Sequence, residues 1–227
     1  MNNKEISDHT SVQFDAALGE MRDLMLKMGG LAEERVAAVV KLLDTRDIAT
    51  AKKVVKSDYQ INALEMAIDE ECANILALRQ PVARDLRMVI AVLKIITDLE
   101  RIGDEAQKIA KQVIEMGQTE FPGSVQQELN KLGEHACLML KKALDGFART
   151  QTEVVGELKA QDRKLDDECN VVVESLLTAV TEHAEGVRPL LGALWCARAL
   201  ERIGDHAKNI GEYVVYLVEG KDIRHPA

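Results

Sequence analysis

Three observations on the sequence predict an all-α fold built as two tandem, internally duplicated antiparallel three-helix bundles, six long helices in all. Apolar residues recur at spacings of three and four along most of the chain, the period of a helix with one buried face. Ala, Leu, Val, Ile, Glu and Lys dominate, while three Phe, three Tyr and one Trp leave little material for sheets. Finally, the phrase LERIGDEA at residues 99–106 returns as LERIGDHA at residues 200–207, with one letter changed. Only a duplication requires the flanks to agree as well. Placing Asp104 on Asp205, an offset of 101, sets Arg87 on Arg188, Leu93 on Leu194, Ile109 on Ile210 and Val113 on Val214. Farther upstream an offset of 104 sets Val36 on Leu140, Leu43 on Phe147, Val54 on Leu158 and Asp58 on Asp162. The difference of three falls between those two blocks, near RQPVARD in one copy and AEGVR in the other, where a loop absorbs it.

Each helix has its own signature. Phe14, Leu18, Met21, Met25, Met28, Val36, Val39 and Leu43 form the stripe of a long first helix, with one wider gap at Ala32. LLDTRDIATA breaks that pattern and offers Thr45 or Asp47 as the next N-cap. A second helix, striped by Val54, Ile61, Leu64, Ile68, Ile75 and Leu78, runs to about residue 79. After RQPVARD a third helix runs from about 85 to 116. GQTEFPGS, with Gly117, Pro122 and Gly123, is the linker between repeats, which divides the chain into residues 1–117 and 118–227. The second repeat places helices at about 125–148, 153–184 and 189–218, with Pro189 in a first turn. Helices of roughly 30 residues span about 45 Å. Short loops between them make neighbours antiparallel.

Charge and cysteine usage bound the function. With 29 Lys and Arg against 38 Asp and Glu, the net charge is −9, which disfavours nucleic acid as a partner. Cys72, Cys137, Cys169 and Cys196 form no CxxC pair, and no signal peptide is evident, as expected of a reduced, cytoplasmic protein. The most apolar run, MVIAVLKII at residues 88–96, is interrupted by Lys94 and falls short of the ~20 residues that a membrane span needs. Membrane contact is therefore expected only through partners.

The acids are where chemistry is expected. In the third helix the row Leu86, Val89, Leu93, Ile96 continues into Glu100 and Gly103, and the second repeat puts Glu201 and Gly204 in the same places. Each glutamate is therefore expected to point into its bundle, with Asp104 or Asp205 one turn on. The second helix supplies a facing row of Asp58, Asn62, Glu65 and Asp69, matched in the other repeat by Asp162, Asp166, Cys169 and Val173. Antiparallel packing brings Asp58 and Asn62 to the depth of Glu100 and Asp104, and Asp162 and Asp166 to that of Glu201 and Asp205. Two like charges 4 Å apart repel by about 4 kcal/mol at an effective dielectric near 20, so protonation, a basic group or a cation must offset them. Oxygen-only ligands suit Mg²⁺, Mn²⁺, Ca²⁺ or iron. Pairing with Arg101 and Arg202 on a solvated face is the plainer alternative. The Met-rich stripe of the first helix and the four cysteines read as core, Arg87 and Arg188 as surface, and His9, His135, His183 and His225 show no ligand spacing.

LERIGDEAQKI and LERIGDHAKNI, preceded by DYQIN and DRKLD, together with MGGLAEERV, AIDEECANILALRQPVARDLR and LWCARALERIGDHAKNI, resemble the PhoU family over nearly the whole chain. The resemblance implies a cytoplasmic, non-catalytic adaptor of two three-helix bundles, often a homodimer, peripheral to the inner membrane through its partners. Those partners are the ATPase subunit of the phosphate ABC transporter and a phosphate-sensing histidine kinase. The implied role is to repress the phosphate-starvation regulon when phosphate is plentiful and to limit phosphate uptake. Paired E/DxxxD motifs bind metal clusters in some members, which implies divalent metal (Mg, Mn or Fe) at Asp58, Asn62, Glu100 and Asp104 and at Asp162, Asp166, Glu201 and Asp205. Asn62 departs from the motif, so the first site is expected to bind more weakly unless Glu65, Asp69 or Asp98 assists. Two rivals remain on the residues alone. One is a carboxylate-bridged di-metal enzyme, although neither acidic motif contains the ExxH usual in such bundles. The other is a metal-free structural scaffold.

Overall fold

A computed structural model describes residues 3–57, 59–118, 122–182 and 187–223. Seven α-helices account for nearly all of them: α1 (Asn3–Thr45), α2 (Ile48–Lys56), α3 (Tyr59–Arg79), α4 (Ala83–Met116), α5 (Gly123–Arg149), α6 (Val154–Glu182) and α7 (Val187–Glu219). The second of the six expected long helices is thus made in two pieces, α2 and α3. Asp47 caps α2, accepting from the backbone N–H groups of Ala49 at 2.9 Å and Thr50 at 3.1 Å. At the other end of α2 the Ser57 carbonyl accepts from the Arg35 guanidinium at 2.7 Å. The same carbonyl takes the Gln60 N–H at 3.1 Å, a 3₁₀-type bond three residues on. In the second repeat the residue aligned with Arg35 is Met139, which has no such donor, and α6 runs unbroken through the equivalent point.

Helices α1, α2–α3 and α4 pack as one antiparallel group and α5, α6 and α7 as the other. They are joined by α4 against α7 and by α1 against α5, and a single hydrophobic cluster runs through both repeats. The first-helix stripe is core as read from the sequence: Met21, Met25, Met28, Val36, Val39 and Leu43 are buried, with Phe14 and Leu18 half-buried against them. On α3 the buried row is Ile61, Ile68, Cys72 and Ile75, whereas Leu78 is exposed at the helix end. Buried Leu, Ile and Met side chains of this kind each stabilise by about 1.5–3 kcal/mol relative to exposure.

Helices α4 and α7 run antiparallel. Arg87 donates to the Leu217 carbonyl at 3.2 Å, Lys94 lies over the rings of Tyr213 and Tyr216, and Met116 faces Gly192 at the far end. Each of these helices buries one face in its own repeat and another against its partner helix. Val89, Ile96 and Gly103 of the expected row are buried, but the buried face is wider and centred to one side of it. Val92, Ile95, Leu99, Ile102, Ala106 and Ile109 are buried, while Leu86, Leu93 and Glu100 lie at the stripe's half-buried edge. Glu100 and Glu201 therefore flank the interior rather than point into its centre.

The glycine of the repeated phrase has a specific reason. A Cβ on Gly103 would lie 3.0 Å from Ile61 Cδ1, and one on Gly204 would overlap Leu165 Cδ2, the aligned residue of the second repeat. The glycine admits the second helix's aliphatic side chain, so Gly204→Ala is expected to destabilise by about 1–3 kcal/mol through overpacking. Gly30 on α1 has no atom within 4 Å of its would-be Cβ, so Gly30→Ala is expected to stabilise by about 0.5–1 kcal/mol. Urea unfolding of the two variants checks the opposite signs.

Candidate functional site

In the second repeat α6 and α7 bring Asp162, Asp166, Glu201 and Asp205 into one cluster. The clearest sign is Asp166, whose carboxyl is pushed up by burial and then by the charges of Asp162, Asp205 and Glu201, with Lys208 opposing. Two cations sit among these acids. The Lys208 ammonium donates to Asp162 Oδ2 at 2.6 Å and to Asp205 Oδ1 at 3.0 Å, bridging the two helices. Arg198 Nη1 donates to both oxygens of Glu201, at 2.9 and 3.1 Å. Cys169 lies beside Glu201, and burial chiefly, then that carboxylate, pushes its thiol up to about 11. The other thiols are raised likewise by burial, which leaves all four free cysteines in unreactive form at neutral pH.

The first repeat is arranged differently. Asp58 lies outside the described residues, and Asn62 is exposed. The residue of α3 that meets the acids of α4 is Glu65. Burial raises its carboxyl first, then Asp69; Arg101 opposes, and Asp104 adds to the rise. Glu100 pairs with Arg101 Nε at 3.6 Å, and Asp69, one turn beyond Glu65, is exposed.

Asp98 does not join this cluster. It is buried between α4 and α7, where its Oδ1 meets His206 Nδ1 at 2.6 Å and accepts from Asn209 Nδ2 at 3.2 Å. The helical turn explains the difference: two residues before Glu100, Asp98 faces the partner helix instead of α3. One position beyond Asp205, His206 faces the α4 seam for the same reason. Glu105, also buried, receives Lys108 at 2.8 Å and Arg202 of α7 at 3.4 Å.

A divalent metal can be tested against these donors. Among the described residues no group of three or more His, Cys, Asp or Glu side chains is placed to hold a metal ion. In the second repeat the facing oxygens of Asp162 and Asp205 are engaged by an ammonium, so that cluster as arranged does not fit a metal. Lys208 and Arg198 were not among the residues singled out from the sequence. The signal was nevertheless present, since each lies three residues from an acid of the repeated phrase, one helical turn away. His135, which shows no ligand spacing in the sequence, has a structural role. It bridges α5 and α6 through Glu168 Oε2 at 2.8 Å and Gln161 Oε1 at 2.6 Å.

These features define a class of protein, the duplicated helical bundle in which each repeat carries an acidic cluster between its second and third helices. The family model described as the PhoU domain matches the chain twice, over residues 25–113 and 129–214, and the chain belongs to the PhoU family. It is 41% identical over 225 residues to the phosphate-specific transport system accessory protein PhoU homolog of Pseudomonas putida, covering 99% of this chain and 88% of that one. With the PhoU accessory protein of Escherichia coli K12 the identity is 39% over 226 residues, covering 99% and 93%. The fold superposes on the crystal structure of PhoU from Pseudomonas aeruginosa with a TM-score of 0.88 at 40% identity, covering 92% of this chain and all of that one. For the phosphate transport system regulatory protein PhoU from Streptococcus pneumoniae the TM-score is 0.86 at 28% identity, covering 93% and 100%.

Two outcomes follow from the geometry. Asp98→Ala leaves His206 and Asn209 without their acceptor and is expected to cost about 1–3 kcal/mol in urea unfolding. A carboxyl raised in the folded state destabilises the fold once it is ionised, and protonation relieves the cost. Asp166→Asn is therefore expected to raise the thermal midpoint at pH 7. The gain should shrink as pH falls through the raised Asp166 value toward the ordinary 3.8, where the parent neutralises itself.

Proposed function

We propose that this chain is a non-catalytic adaptor in phosphate signalling, accessory to a phosphate ABC transporter. In this reading it links the transporter's ATPase subunit to a phosphate-sensing histidine kinase, holds the phosphate-starvation regulon repressed when phosphate is plentiful, and limits uptake. The observation that carries the proposal is correspondence from end to end. Both repeats match proteins named as accessory or regulatory to phosphate transport, in sequence over 99% of the chain and in fold over 92%. No helix among the described residues is long and apolar enough to cross a membrane, which accords with an adaptor that reaches the membrane through its partners. A cytoplasmic homodimer is part of the same reading.

The acidic clusters are proposed as the elements that set the shape of the surface partners read. The divalent cation, Mg²⁺, Mn²⁺ or iron, is assigned to the first repeat. There Glu65 and Asp104 are within electrostatic reach of one another, and the residue aligned with Lys208 is the neutral Gln107. This reverses the order of affinities expected from Asn62 alone. Such a cation would supply charge neutralisation and cross-link α3 to α4.

Deletion of the gene is expected to make a phosphate-starvation reporter constitutive at high phosphate, with repression restored by the parent chain. Unaltered repression in the deletion strain would remove the adaptor reading. Elemental analysis of protein purified without chelator or affinity metal is expected to show more metal lost on Asp104→Ala than on Asp205→Ala. Equal losses would count against placing the cation in the first repeat.

A further inference from the structure

The two copies of the repeated phrase diverge just beyond the aspartate. Three residues after Asp205 stands Lys208; three after Asp104 stands Gln107. A second difference lies three residues before the glutamate, where Arg198 is matched by Thr97. Both cations of the second-repeat cluster thus have neutral counterparts in the first. The counterparts are also engaged elsewhere. Gln107 donates to the Val55 carbonyl at 3.4 Å and accepts from Lys111, and Thr97 donates to the Leu93 carbonyl at 3.1 Å.

Lys208 is placed as an ion would be. Its ammonium touches one carboxylate from each helix, Asp162 on α6 and Asp205 on α7, and its side chain is only 23% exposed. Burial alone would lower its basicity, but the bonds to Asp162 and Asp205 outweigh that and raise it, so the group stays charged. Held on a helix by its own stem, it cannot diffuse away as a free cation can. A divalent ion offered to the same oxygens would have to displace it and then lie beside it.

We propose that Lys208, with Arg198 beside it, is a resident counter-cation that takes the place of a divalent metal in the Asp162, Asp166, Glu201, Asp205 cluster. The second repeat's cluster is thereby closed by its own side chains. This rests on reading the acidic pairs as cation sites, and the test separates the two claims. Mn²⁺ is titrated into the full chain by calorimetry on an Asp104→Asn background, which silences the first repeat, with Lys208, Lys208→Gln or Lys208→Arg.

Lys208→Gln installs the first-repeat residue. It is expected to create one Mn²⁺ site, at least about tenfold tighter than anything in the Lys208 chain, with a thermal midpoint that rises on adding Mn²⁺. Lys208→Arg keeps the charge and should gain no site. Should Lys208→Gln unfold without metal, refolding on addition of Mn²⁺ supports the proposal, and failure to refold overturns it. A folded Lys208→Gln chain that binds no more Mn²⁺ than its parent also overturns it. So does Mn²⁺ bound by the Lys208 chain and lost on Asp205→Asn. Absence of Mn²⁺ from the chain with Asp104 intact, beside a gain in Lys208→Gln, would sink the first-repeat site and leave this proposal standing.

Discussion

Helices α4 and α7 must each bury two faces at once, and the remainder of the structure depends on how they meet. Their antiparallel packing joins the repeats into a single apolar cluster, yet the seam is not purely apolar. Asp98 with His206 and Asn209, Glu105 with Arg202, and Lys94 over Tyr213 and Tyr216 are spaced along it. Burying a carboxylate is costly unless it is paired and hydrogen-bonded. Apolar side chains tolerate sliding of one helix along another, whereas a buried Asp98 is satisfied only where His206 and Asn209 face it. These pairs therefore select one register, and with it the relative placement of the two repeats.

That seam also decides where the acids of the repeated phrase can be. With the centre of α4 and α7 given to aliphatic residues, Glu100, Asp104, Glu201 and Asp205 are left to the edges that face the second helix of each repeat. At an edge they are partly solvated, and nearby cations can answer them. The glycine between each pair completes the arrangement, since it admits Ile61 or Leu165 close to the helix backbone and draws the two acidic rows together. The motif is thus both a packing device and a charge cluster.

The duplication preserves backbone more faithfully than charge. Arg46 and Thr150, aligned by the upstream offset, both take left-handed conformations just beyond the first helix of their repeats. Gly103 and Gly204 receive aligned side chains. Between the clusters, by contrast, Gln107 has become Lys208, Thr97 has become Arg198 and Glu65 has become Cys169. Gln107 and Lys208 are both half-buried, and at such an edge position a helix accepts the exchange because little packed volume is disturbed. Two copies of one fold can therefore hold unlike electrostatic sites.

The all-α class, the duplication, the break between α4 and α5 after Met116 and most of the core stripe were determined by the sequence itself, because periodicity of three and four and the helix-breaking stretch around Thr45 and Asp47 are local properties of the chain. The acidic phrase was legible for the same reason. Tertiary structure alone decided the split of the second helix at Ser57, where Arg35 reaches the carbonyl from 22 residues away in sequence. It alone decided that Asp98 belongs to the α4–α7 seam and that the acids flank the core. It also decided that Lys208 spans Asp162 and Asp205, 46 residues from the first and three from the second. A single helix's period shows which residues share a face. It does not show how many faces a neighbour will cover, and where two faces are buried the balance between acid, cation and core is set only by packing.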